Sequence, residues 1–324
     1  MNKSKSLFFM ITLYGTILVV SSNNWISMWM GLEINMMGFI PLMSNKNKST
    51  SEAMMIYLLT QSISSMILMF SISMLNLTMN EMFYNMIMIS LLIKLGAAPF
   101  HMWLPEMLSK LNWMTNMMLL TWQKIAPMLM MNNLIVNNMM LYSATMMSVI
   151  VGSIGGLNQM SLRKIMGYSS INHLGWMISL TKTKNNWIMY LMIYSTIVIS
   201  LCWLFNQYNT MHINQMNNLN MTMTEKLNYI IMMMSLGGLP PLLGFLPKWI
   251  VIQTMIDNKL LMLLLIMIMC SMVSLFYYMR TMTSMMLSFS MMNKWTKITM
   301  SYGTILTMLM MNMSLPLILI LNMF

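Results

Sequence analysis

The chain has 324 residues, of which 58% are hydrophobic and only 7% charged, with a formal net charge of +11. Roughly a quarter of a typical soluble domain is charged, so a surface drawn from this composition would not stay dispersed in water, and a soluble globular enzyme is excluded. The apolar residues come in repeated blocks of about 20, enough to cross roughly 30 Å of hydrocarbon, and the fold class expected is an all-α polytopic membrane protein.

Breaks at Lys, Arg, Asn and Pro divide the sequence into eleven apolar spans: 6–22, 25–43, 54–75, 83–103, 113–132, 136–157, 165–181, 187–206, 227–256, 260–279 and 301–322. The first has the apolar run of a signal peptide but no convincing cleavage pattern, and further spans follow closely, so it reads as the first membrane helix. Spans 83–103 and 227–256 are expected to be discontinuous. The one contains Gly96 and Pro99; the other contains Gly237, Gly238, Pro240, Pro241, Gly244 and Pro247. Proline has no amide hydrogen and clashes with the preceding turn of a helix. The fifth span also carries Pro127. The longest link, 207–226, is polar and Asn-rich and too short for a soluble domain, so 1–324 reads as a single transmembrane domain.

The 57 methionines exceed what packing asks for and extend into links such as 211–223, which points to a coding bias. Cys202 and Cys270 lie in separate apolar blocks without a Cys-x-x-Cys pair, which argues against a thiolate iron–sulfur or zinc site.

Eleven spans place alternate links on opposite sides. Lys3, Lys5, Lys46, Lys48, Lys110, Arg163, Lys164, Lys226, Arg280, Lys294 and Lys297 then share the N-terminal side, against Lys182, Lys184 and Lys259 on the other. By the positive-inside rule the N-terminus faces the compartment that retains cationic loops, and the C-terminus faces the opposite one. Because these cations are scattered over short links, they orient the chain and meet anionic lipids. They form no nucleic-acid stripe.

Three lysines and one carboxylate remain inside apolar spans. Glu33 lies eight residues, about 12 Å, past Trp25, and Lys94 eleven residues past Phe83. Lys124 sits in TWQKIAPM, and Lys248 follows GGLPPLLGFLP. A charge at the centre of a membrane helix costs at least about 2.5 kcal/mol. Bland alternatives exist: Glu33 could snorkel or stay protonated as a structural partner, the lysines could reach the interface on their stems, and the break leaves the depth of Lys248 ambiguous. As a set the four make a chain of titratable stations. Broken helices expose half-helix ends inside the membrane, where they can tune nearby ionisable groups. Lysine, unlike arginine, can be made to release a proton by burial. His101, near the interface, and His173, beside Ser169, Ser170 and Asn172, are secondary candidates, each with a structural alternative. Glu106 reads as a surface partner with Lys110 at i+4, and His212 as loop.

LLIKLGAAPFHMWLPE (91–106), TWQKIAPM (121–128), RKIMGYSSINHLGW (163–176), LGGLPPLLGFLPKW (236–249) and WMGLEINMMGFIP (29–41) resemble the chain 2 family of NADH–ubiquinone oxidoreductase, mitochondrially encoded antiporter-like subunits of respiratory complex I. The Met excess fits an animal mitochondrial code, most like an AT-rich invertebrate genome. The resemblance implies inverted five-helix repeats with discontinuous helices, a shortened N-terminus and eleven spans. It places the chain in the mitochondrial inner membrane, with the N-terminus in the matrix and the C-terminus in the intermembrane space. It assigns proton translocation to Glu33, Lys94, Lys124 and Lys248, with His101 and His173 as weaker candidates. It also implies other membrane-arm subunits, related antiporter-like chains among them, and membrane lipids as partners. NADH and ubiquinone would be the substrates of the whole complex, with FMN and iron–sulfur clusters elsewhere. This chain shows no dinucleotide fingerprint after a strand and no flavin or iron–sulfur signature, so no cofactor, metal or catalytic redox residue is expected in it. The competing readings are a membrane-arm scaffold without its own proton path and an autonomous cation/proton antiporter.

Overall fold

The computed structural model describes residues 3–44, 48–78, 81–134, 138–181, 186–217, 221–287 and 301–315, and within them the architecture is all-α. In chain order the helices are α1 (Lys3–Ser21), α2 (Trp25–Met43), α3 (Lys48–Thr78), α4 (Glu81–Leu95), α5 (Trp103–Lys110) and α6 (Trp113–Leu120). A 3-10 turn (Trp122–Lys124) leads to α7 (Ile125–Asn132), α8 (Asn138–Leu157), α9 (Leu162–Ser179), α10 (Asn186–Tyr208) and the short α11 (Ile213–Asn217). The chain continues through α12 (Met223–Gly237), α13 (Phe245–Asp257), α14 (Leu261–Leu287) and α15 (Tyr302–Asn312).

Six of the described helices, α1, α2, α3, α8, α10 and α14, are each continuous, long and apolar enough to cross a membrane. The other expected spans look different. Span 83–103 is α4, an irregular stretch and the first residue of α5. Span 113–132 is interrupted at Thr121–Lys124, because Pro127 cannot donate to Gln123 and crowds its carbonyl. Span 227–256 is two helices with a seven-residue gap, 238–244. The last span continues past Leu315, outside the described residues, as do Lys46, Lys182, Lys184, Lys294 and Lys297.

Packing follows membrane rules, with apolar side chains outward and small residues between helices. On α1, Leu7, Met10, Tyr14 and Ile17 form one exposed stripe at helical spacing. The opposite face of α1 packs closely on α2: a Cβ on Gly15 would lie 2.9 Å from the Gly31 carbonyl oxygen. The same device joins α8 to α9, where a Cβ on Gly152 would lie 2.5 Å from the Asn172 backbone nitrogen. Helix α9 is buried along nearly all of its length, from Ser169 through Ser179 without interruption. Its Ser, Asn and His side chains are all buried, which is why a helix so rich in them can run through the bundle. The 207–226 link is pinned to the α8–α9 turn: Leu162 N–H donates to Met211 O at 2.9 Å and Ile213 N–H to Met160 O at 3.1 Å. His212 sits in this bridge, paired with Ser161.

Candidate functional site

The last four carbonyls of a helix have no partner within it, and inside a membrane each must find one. Helices α4 and α12 end in the same way. After α4, Gly96 takes φ +71°, and after α12, Gly238 takes φ +74°. In the first case Gly96 N–H donates to Ile93 O and Ala97 N–H to Leu92 O; in the second, Gly238 N–H donates to Ser235 O and Leu239 N–H to Met234 O. This is the Schellman pattern, which needs a left-handed residue that glycine supplies without a Cβ clash. Prolines follow in both, so neither helix resumes at once.

The motif leaves two carbonyls at each end, and a side chain takes up one of the two at each. Gln61 Nε2 donates to Lys94 O at 3.3 Å, while Trp103 Nε1 shares Ile93 O at 3.2 Å. At the end of α12, Lys248 Nζ donates to Gly237 O at 2.6 Å, and the His173 side chain lies beside the Leu236 backbone. One ionisable group therefore caps this half-helix and a second lies beside it, where the C-terminal partial charge favours cations.

Glu33 on α2 approaches Lys94 to 3.9 Å. On its other side Lys94 borders a cavity of about 30 Å³ that reaches Lys124 and is lined also by Asn35, Tyr57, Gln61 and Gln123. One water needs roughly 10–15 Å³ on this measure, so the space fits about two. Gln123 Nε2 donates to Asn35 Oδ1 at 3.0 Å across the cavity wall. Lys124 belongs to the 3-10 turn, where its Nζ donates to Ser170 O on α9 at 3.3 Å and lies 4.8 Å from the centre of the Tyr194 ring. His173 continues the row: its Nδ1 is 2.8 Å from Tyr190 Oη and its ring is 4.9 Å from that of Tyr194. It is electrostatically coupled to both Lys124 and Lys248. Lys248 closes the row 5.7 Å from the centre of the Trp176 ring.

Five of the six expected residues thus fall in one row: Glu33, Lys94, Lys124, His173 and Lys248. His101 does not join it. Its Nδ1 lies 3.1 Å from Pro99 O within its own turn, on the exposed side. Lys110 pairs with Glu52 at 2.8 Å in place of the expected Glu106. Sequence reasoning passed over Asn35, Gln61, Gln123, Tyr190 and Tyr194. The first three were within its reach, since an amide in an apolar span is costly for the same reason as a charge. Among the described residues no three of His, Cys, Asp or Glu gather as a metal site would require.

Residues 22–274 match the family model described as NADH:quinone oxidoreductase/Mrp antiporter, transmembrane. The chain is 44% identical over 303 residues to NADH-ubiquinone oxidoreductase chain 2 of Locusta migratoria, covering 91% of this chain and 89% of that protein. It is 41% identical over 303 residues to the chain of the same name from Anopheles gambiae, covering 90% and 89%. In fold it superposes on a chain of respiratory complex I from Thermus thermophilus with TM-score 0.86 at 20% identity, covering 97% of this chain and 78% of that one. A chain of the Mrp complex from Dietzia gives TM-score 0.76 at 14% identity, covering 87% and 59%. The protein belongs to the NADH–ubiquinone oxidoreductase chain 2 family, within the NADH:quinone oxidoreductase/Mrp antiporter membrane proteins.

Proposed function

We propose that the row from Glu33 through Lys94, Lys124 and His173 to Lys248 moves protons within the membrane arm of NADH:ubiquinone oxidoreductase, of which this chain is a subunit in the mitochondrial inner membrane. The observation that carries the reading is the polar cavity shared by Lys94 and Lys124, with room for water between two ammonium groups beside two interrupted helices. Hydrated, the cavity lets a proton pass between the lysines as hydrogen bonds exchange along the intervening molecules. Coulomb coupling along the row makes the protonation of each group depend on its neighbours, so the stations titrate as a set. Quinone chemistry elsewhere in the complex would bias that set by charge or by conformation, and access must switch with affinity, or protons would leak.

Eleven crossings follow if each interrupted helix counts once: α4, α6 with α7, and α12 with α13, alongside α9, α15 and the six continuous helices. Grouped in fives, the Schellman-ended helix then takes fourth place in each group, which supports an inverted repeat. The cation bias of the links supports an N-terminus in the matrix and a C-terminus in the intermembrane space.

The test is Lys94→Met and Lys124→Met in the assembled complex, with assembly measured first. Proton pumping per NADH oxidised falls under this reading. Pumping unchanged in fully assembled complex would leave the chain a scaffold. Cation-dependent proton exchange by the isolated chain in liposomes would make it an autonomous antiporter.

A further inference from the structure

The break after α12 has a third partner that the proton row does not use. Asn312 closes α15 and is 3% exposed. Its Oδ1 takes the longer branch of a shared hydrogen bond from Ser235 Oγ, at 3.1 Å, the hydroxyl also donating to Met232 O at 2.7 Å in its own turn. Its backbone carbonyl accepts from Leu243 N–H at 3.1 Å, inside the break near its far end. Its Nδ2 donates to Met308 O at 2.9 Å in its own helix, which fixes the side-chain orientation. One residue is therefore bonded both to the last turn of α12 and to the break itself. The exchange is reciprocal, because the Asn312 carbonyl is an unpaired end of α15 and the Leu243 amide an unpaired group of the break. An amide in an apolar helix is retained only at a cost, and here both ends of the side chain are used.

We propose that Asn312 is a positioning residue for Lys248 and His173. By fastening the last turn of α12 and the break to α15, it keeps the Gly237 carbonyl aimed at the Lys248 ammonium and the Leu236 backbone beside His173. The proposal rests on the proton row above and adds α15 to its control. A shift of α15 would change the half-helix end that Lys248 caps and His173 borders, without touching either group.

Ordinary interhelical glue would also explain the contacts, and it predicts something different. Glue alone lowers the amount of assembled complex and leaves each assembled complex pumping normally. The experiment uses assembled complex carrying Asn312→Ala, Ser235→Ala, both together, Ser235→Thr, or Lys248→Met. Each alanine variant is expected to lower proton pumping per NADH oxidised by about twofold to fivefold, the scale of one lost hydrogen bond. The double variant is expected to be no worse than the single ones, and Ser235→Thr, which keeps the hydroxyl, to restore pumping. If Asn312→Ala does not assemble, Ser235→Ala decides, since it deletes a single oxygen from the same bond. Normal pumping by the assembled alanine variants, with Lys248→Met impaired, overturns the positioning role and spares the proton row. Normal pumping with Lys248→Met overturns the role of Lys248 in the row, and this proposal with it.

Discussion

The Lys94 ammonium and the Glu33 carboxylate face each other at 3.9 Å, with side chains 2% and 23% exposed. That is beyond hydrogen-bond length, and Glu33 Oε1 accepts no hydrogen bond among the described residues. The pair is held by charge and by the packing of its helices, so a small movement of α2 or α4 changes their interaction without breaking a bond.

Glu33→Gln is therefore expected to impair coupled turnover without unfolding the chain. Because Glu33 is partly exposed, the coupling between Glu33→Gln and Lys94→Met should be modest, about 1 kcal/mol or fivefold in rate. Pumping rates of the two single variants and the double variant, at equal assembly, give the cycle. Strict additivity would mean that the two charges act independently.

Gly238→Ala should disturb Lys248 without removing its charge. A Cβ at Gly238 would lie 2.8 Å from Lys248 Cδ, Cε and Nζ, and the left-handed backbone costs a non-glycine residue about 1–2 kcal/mol. The adjacent Gly237→Ala is the control, because its Cβ would have no neighbour nearer than 3.6 Å. Pumping is expected to fall in the first and persist in the second.

Gln61→Leu removes the donor to Lys94 O and one polar wall of the cavity. The orphaned carbonyl costs about 1–3 kcal/mol. Both a lower yield of assembled complex on native gels and a lower pumping rate per complex are expected. A loss of yield alone would confine Gln61 to holding the end of α4.

Gly152→Ala tests the bundle itself. Its Cβ would meet the Asn172 backbone, which cannot yield as a side-chain tip can, and overpacking of this kind costs about 1–3 kcal/mol. Gly303→Ala, with nothing within 4 Å of its Cβ, should be silent. Thermal stability of the assembled complex separates the two.

The Lys110–Glu52 pair is a control for charge. Its side chains are 29% and 64% exposed, and exposed pairs contribute about 1 kcal/mol or less. Lys110→Met is expected to leave pumping within experimental scatter, whereas Lys124→Met is not.

The six continuous helices were legible because each is a long apolar run bounded by polar links. The interruptions at Gly96 and Gly238 were legible too, since glycine followed by proline acts on the local backbone wherever it occurs. The interruption at Thr121–Lys124 was harder. It lies before Pro127, because the lost hydrogen bond belongs to a carbonyl four residues back. His101 shows the opposite difficulty. It lies seven residues after Lys94 in the most informative stretch of the sequence, yet the turn at Pro99 points it outward.

Composition and punctuation alone pointed to a membrane chain, to two of its helix interruptions, and to the few charges that are costly where they stand. These are local properties, set by each residue's own transfer energy and backbone freedom. What fills the broken ends was decided only by the tertiary structure. Gln61 and Lys94 are 33 residues apart, Lys124 and Ser170 are 46 apart, and Ser235 and Asn312 are 77 apart. Partners so distant depend on how each helix is rotated and how closely neighbours approach, which is fixed by the packing of the whole bundle at once.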